Sequence, residues 1–187
     1  FGDGTSQTTA AISGATPGLE MVGANTIAPA PDLVSGDLFT AGALGEVGRW
    51  KVVMPNFVCT DPATFGLFMT RVGGAQLDGG VNGLDYDSSP PGFITPYNAT
   101  FPGVNISLTI DPIAAGTHSH LELDITQKAG DYGSVAIRYQ YFSNSGRIRT
   151  VLRNFQSIPP NDMAGFYIRP SSGTCQGTIY TYKYSSV

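Results

Sequence analysis

Ser134-Val135-Ala136-Ile137-Arg138-Tyr139-Gln140-Tyr141-Phe142, then Ser143-Asn144-Ser145-Gly146, then Arg147-Ile148-Arg149-Thr150-Val151-Leu152-Arg153-Asn154-Phe155 decides the fold class. Both flanking runs are rich in β-branched and aromatic residues, which suit a pleated, half-buried surface. The four residues between them are turn formers ending in glycine. The segment therefore reads as a β-hairpin.

Similar signals extend in both directions. Towards the carboxyl end, Ser157–Asp162 is a Pro-rich turn, and Ala164–Arg169 and Thr178–Tyr184 are strands separated by a loop around Ser171-Ser172-Gly173. Towards the amino end, His118–Thr126 alternates, and Val104–Ile110, Phe93–Tyr97, Thr64–Val72 and Arg49–Val53 read as further strands. Gly73–Gly92, crowded with Gly, Asp and Pro, reads as a long loop. Phe1 to Ala30 carries no cation and is rich in Gly, Thr, Ala and Pro. Residues 1–36 thus read as an extended arm or linker with one strand at Leu19–Val22, and residues 37–187 as the folded domain.

Composition agrees with this reading. The chain has 187 residues, of which 13% are charged and 41% hydrophobic. Asp outnumbers Glu eleven to three, there are three Lys, and Gly and Pro number 24 and 13. Strong helix formers are scarce and turn formers abundant, which excludes a mainly helical protein. The net charge of −4 argues against non-specific nucleic-acid binding. No apolar run reaches the roughly 18 residues that a membrane-spanning helix needs. The expected fold is an all-β, jelly-roll-like antiparallel β-sandwich of about eight or nine strands with an extended N-terminal arm.

The last part of the chain carries a resemblance. Arg147-Ile148-Arg149-Thr150-Val151-Leu152-Arg153-Asn154-Phe155 is followed by Ile158-Pro159-Pro160, by Ala164-Gly165-Phe166-Tyr167-Ile168-Arg169-Pro170 and by Gly177-Thr178-Ile179-Tyr180. This resembles the closing strands of jelly-roll carbohydrate-binding modules, which also occur on phage tail proteins. The resemblance implies a sandwich and a glycan-binding role. The final strand, Tyr180-Thr181-Tyr182-Lys183-Tyr184, departs from the Asp-rich ending of that family, so no binding residue is carried over.

Several constellations bear on chemistry. Tyr180, Tyr182 and Tyr184 share one face of a strand, and Tyr139 and Tyr141 share a face of another. Such rings stack on sugars, line subunit interfaces or cover a core. Arg147, Arg149 and Arg153 lie on one face of their strand, with Arg138 on the neighbouring one, and arginine forks suit the carboxylate, sulfate or phosphate of an acidic glycan. The alternative for the arginines is surface solubility and edge protection.

His118, His120, Glu122 and Asp124 alternate onto one side of a strand, and His118, His120 and Glu122 are candidate metal ligands; the other reading is a solvent-facing polar side. Asp78, Asp85 and Asp87 offer oxygens suited to calcium in the Gly73–Gly92 loop. Cys59 and Cys175 are candidates for a disulfide or for two buried thiols. Asn98 and Asn105 begin glycosylation sequons, Asn-Ala-Thr and Asn-Ile-Ser. No nucleophile elbow, phosphate-cradling loop or carboxylate pair stands out.

The expected function is therefore a non-catalytic module for glycan recognition or attachment, outside a cell, on its surface or on a virion. The alternative is a self-assembling structural subunit, a coat, tail or pilus-like protein whose partners are copies of itself and whose arm exchanges strands. A third reading is a metal-dependent enzyme centred on His118 and His120. No cofactor is expected other than the calcium ion.

Overall fold

The computed structural model describes residues 18–39, 45–88, 91–101, 105–131, 133–157 and 162–185. All regular structure among them is β. The strands are β1 (Leu19–Ala30), β2 (Leu33–Asp37), β3 (Val47–Cys59), β4 (Phe65–Thr70), β5 (Gly79–Ser88) and β6 (Pro91–Phe101). They continue with β7 (Ile106–Ser107), β8 (Ser119–Lys128), β9 (Gly133–Phe142), β10 (Ile148–Ser157), β11 (Gly165–Pro170) and β12 (Cys175–Tyr184).

An eight-stranded sheet runs in the order β1-β12-β3-β8-β9-β10-β5-β6, and a four-stranded sheet in the order β2-β11-β4-β7. Two hairpins, β5–β6 and β9–β10, widen the larger sheet beyond β8. With them set aside, the sheets read β1-β12-β3-β8 and β2-β11-β4-β7, which is the antiparallel jelly roll. About eight or nine strands are expected in the folded domain and twelve are described, the additional ones being β1 and β2, in the stretch read as an arm, and β5, in the stretch read as a loop.

Alternation positions the core. Val135, Ile137, Tyr139 and Tyr141 of β9 point inward beside Leu121, Leu123 and Ile125 of β8 and Trp50, Val52 and Met54 of β3. Opposite them stand Phe65, Leu67 and Met69 of β4, and Phe166 and Ile168 of β11. Phe57, Phe65 and Tyr139 meet edge to face, with centroids 5.1–6.4 Å apart, and Tyr139 stacks on Tyr141 at 5.3 Å. Tyr139 and Tyr141 thus belong to the core and form no exposed platform.

The turn at Ser143–Gly146 closes the β9–β10 hairpin as expected; Gly146 takes φ +78°, a left-handed conformation that glycine adopts without strain.

The strand expected at Leu19–Val22 is the start of β1, and the stretch read as an arm folds back onto both sheets: β1 pairs with β12, and β2 pairs with β11. Most β1 side chains are exposed, so backbone pairing rather than a buried apolar face holds this strand, and only its first part, Leu19–Val22, reads as a strand in the sequence. The long loop at Gly73–Gly92 contains β5, in register with β10 from Gly79↔Ser157 to Asp87↔Arg149. A Cβ at Gly79 would strike the Gln156 carbonyl and the Phe155 ring, and one at Gly83 the Leu152 carbonyl and Arg153. These glycines permit close approach of two strands, although their composition suggests a loop.

Candidate functional site

The two sheets enclose the core, and the outer face of the eight-stranded sheet gathers the chemistry. On β12, Ile179 and Thr181 are buried while Tyr180, Tyr182 and Tyr184 stand half-buried on the other side. The same alternation turns Arg49, Lys51 and Val53 of β3, and His120, Glu122 and Asp124 of β8, onto that outer face. Register then sets two rows across the strands. One runs Tyr180, Val53, Glu122, Arg138, Leu152; the next begins Tyr182, Lys51, Asp124, Ala136.

A hydrogen-bonded network ties the second row to the first. The Lys51 Nζ lies 3.4 Å from Glu122 Oε2 and 4.0 Å from Asp124 Oδ2. His120 Nε2 lies 2.8 Å from Glu122 Oε1. The Tyr184 hydroxyl donates to Asp124 Oδ1 at 3.1 Å, and the Arg49 guanidinium sits 4.9 Å from the centre of the Tyr184 ring. The hydrogen bond from His120, opposed by partial burial and assisted by Lys51, holds the Glu122 carboxyl below its ordinary range. Burial, with the hydrogen bond to Asp124, raises the Tyr184 phenol. This face therefore presents a fixed carboxylate beside aromatic rings.

The arginine face is divided. Arg138 is exposed on the outer face. Arg149 and Arg153 alternate with Val151 and Phe155 and so point to the inner side, because the hydrophobic residues between them must face the core. There the smaller sheet ends at the two-residue β7, and polar groups continue the contact. Arg153, buried, donates to the Ser107 carbonyl at 3.1 Å. Arg149 donates twice to Asp111, at 3.0 and 3.2 Å, and Ser145 and Tyr141 donate to the same carboxylate. Arg147 lies exposed beside the hairpin turn.

Burial alone would raise the Asp111 pKa, but the bonds from Arg149, Ser145 and Tyr141 outweigh it and lower it; burial pushes the Tyr141 phenol up to about 12. A carboxyl with a lowered folded-state pKa stabilises the fold above its unfolded value, and the contribution disappears as pH falls through the folded value. Asp111→Asn is expected to cost about 1–2 kcal/mol at neutral pH. In urea unfolding, its deficit against wild type should shrink as pH drops below the ordinary carboxyl value of 3.8. A deficit independent of pH would mean that the carboxylate charge is not what the network uses.

The expected metal set does not assemble. His118 is exposed and precedes β8, while His120 and Glu122 bond directly to each other. Among the described residues, no three His, Cys, Asp or Glu gather around one point. For the calcium set, Asp78 is exposed ahead of β5, and Asp85 and Asp87 lie on β5, paired with Val151 and Arg149 in an extended ladder.

Cys59 and Cys175 are disulfide-bonded, joining the end of β3 to the start of β12. Asn105 is exposed beside β7, and Asn98 lies on β6 opposite Asn82.

Sequence reasoning passed over Lys51 and Arg49, because only the β3–β12 and β3–β8 pairings bring them to the tyrosines and the carboxylates. It also passed over a second aromatic layer outside the smaller sheet. There Phe68 stacks on Tyr167 at 4.6 Å, Arg169 lies over both rings, and Asp32 pairs with Arg169 at 2.7 Å. Gln76 donates to the Tyr167 hydroxyl.

Fold and site define a jelly roll with a polar, tyrosine-bearing outer sheet. No family model, curated protein or solved structure matches the chain.

Proposed function

We propose that this jelly roll is a non-catalytic module that recognises glycan through the outer face of its eight-stranded sheet. The observation that carries the reading is the row Tyr180, Tyr182, Tyr184 beside the linked Lys51, Glu122, Asp124 and His120. Half-buried rings offer rigid apolar area for a pyranose face, and fixed carboxylates accept its hydroxyls. The disulfide favours an oxidising setting, in keeping with secretion or display on a cell surface or virion.

A glycan array tests this. Tyr182→Ala should weaken the strongest signal by roughly fivefold to tenfold. Val34→Ala, at an exposed position of β2 in the other sheet, should leave it unchanged. A blank array, or equal losses in both variants, would refute the reading.

A second reading, association of copies, draws on exposed Leu19, Met21 and Val22, at 44%, 58% and 50%, along edge strand β1. Light scattering separates the two: a monomer at high concentration removes the second.

A further inference from the structure

The tyrosine face carries one cation that its own network leaves free. Arg138 stands directly opposite Glu122 across the β8–β9 ladder, where an ion pair would be expected. The Glu122 carboxylate is instead engaged by His120 at 2.8 Å and Lys51 at 3.4 Å. Arg138 is exposed, and it has no side-chain partner among the described residues. Arg149 and Arg153, by contrast, are occupied on the inner side. In the same row lie Leu152 on one flank of Arg138 and, beyond Glu122, Val53 and Tyr180.

We infer that this face selects an acidic glycan, with the carboxylate or sulfate of one sugar held by the Arg138 guanidinium and neighbouring rings lying over Val53 and Tyr180; the inference rests on the glycan reading. Three strand spacings separate Tyr180 from Arg138, about 14 Å, a span that suits a short oligosaccharide laid across the strands. The guanidinium fork matches the planar geometry of an oxyanion and is always charged. Glu122 does not repel such a ligand as a bare carboxylate would, because Lys51 lies against it. The free arginine thus confers selectivity for anionic sugars, and the tyrosines supply contact area for any sugar.

Affinity electrophoresis of the folded chain against three polymers tests this. Polygalacturonate carries carboxylates, dextran sulfate carries sulfates, and dextran is neutral. Wild type should bind one of the anionic polymers at least tenfold more tightly than dextran. Arg138→Gln should remove roughly tenfold or more of that preference, with binding to dextran unchanged. Arg138→Lys should retain part of it. Lys183→Gln, an exposed position on the opposite side of β12, removes the same formal charge and should have little effect. Equal losses in Arg138→Gln and Lys183→Gln would reduce the effect to net charge and overturn the inference. Binding that Tyr182→Ala weakens and Arg138→Gln does not would also overturn it, while leaving the glycan reading in place. No binding to any of the three polymers rejects the inference, and a blank array would take the broader reading with it.

Discussion

Replacing both Cys59 and Cys175 by alanine is expected to lower the unfolding free energy by about 4–5 kcal/mol. The bond closes a loop with a sequence separation of 116, and such a crosslink acts mainly by restricting the unfolded chain. Both cysteines are fully buried, so the smaller side chains also lose some packing. Against a total stability of typically 5–15 kcal/mol, this loss leaves the domain near its limit. Urea unfolding of the double variant beside oxidised wild type measures it, and the midpoint should fall sharply. A loss under about 1 kcal/mol would mean that structure remaining in the unfolded chain already holds the two segments together. Glycan binding proposed for the tyrosine face should be unaffected at temperatures where the variant is folded, since the bond lies at the opposite end of β12 from Tyr182 and Tyr184.

Tyr139→Ala is expected to cost about 3–5 kcal/mol, and Tyr139→Phe only about 1 kcal/mol. The ring is fully buried against Phe57, Phe65 and Tyr141, so its removal leaves a cavity between the sheets. The hydroxyl donates to Ser119 Oγ at 2.9 Å, and Ser119 donates to the Phe57 carbonyl at 3.0 Å. Burial drives the phenol far above its ordinary pKa, so it remains a donor. Losing the hydroxyl leaves Ser119 with one partner and the ring contacts intact. Thermal unfolding of the two variants separates the contributions. Equal losses would assign the stability to the hydroxyl chain, with the aromatic packing secondary.

These two predictions also mark what can be read from the chain. The β9–β10 hairpin was legible from its residues, because branched and aromatic runs flank a four-residue turn. β5 was not, since its glycines serve an approach to β10 that composition alone represents as looping. The face shared by Tyr180, Tyr182 and Tyr184 was legible, because the two-residue period of a strand is local. Their neighbours Lys51 and Asp124 were not, because Lys51 and Tyr182 lie far apart in the sequence and meet only through strand pairing. The arginines show the same division. Alternation puts Arg149 and Arg153 together, yet it does not say that their side turns inward, or that Arg138 turns outward.

The sequence by itself determined an all-β chain, the principal hairpin and which side chains travel together, for each of these follows from interactions between near neighbours. Only the tertiary structure decided the order of the strands, the inward side of each and the company each side chain keeps. Those outcomes depend on burying one continuous core between two sheets, and that energy is summed over segments more than a hundred residues apart.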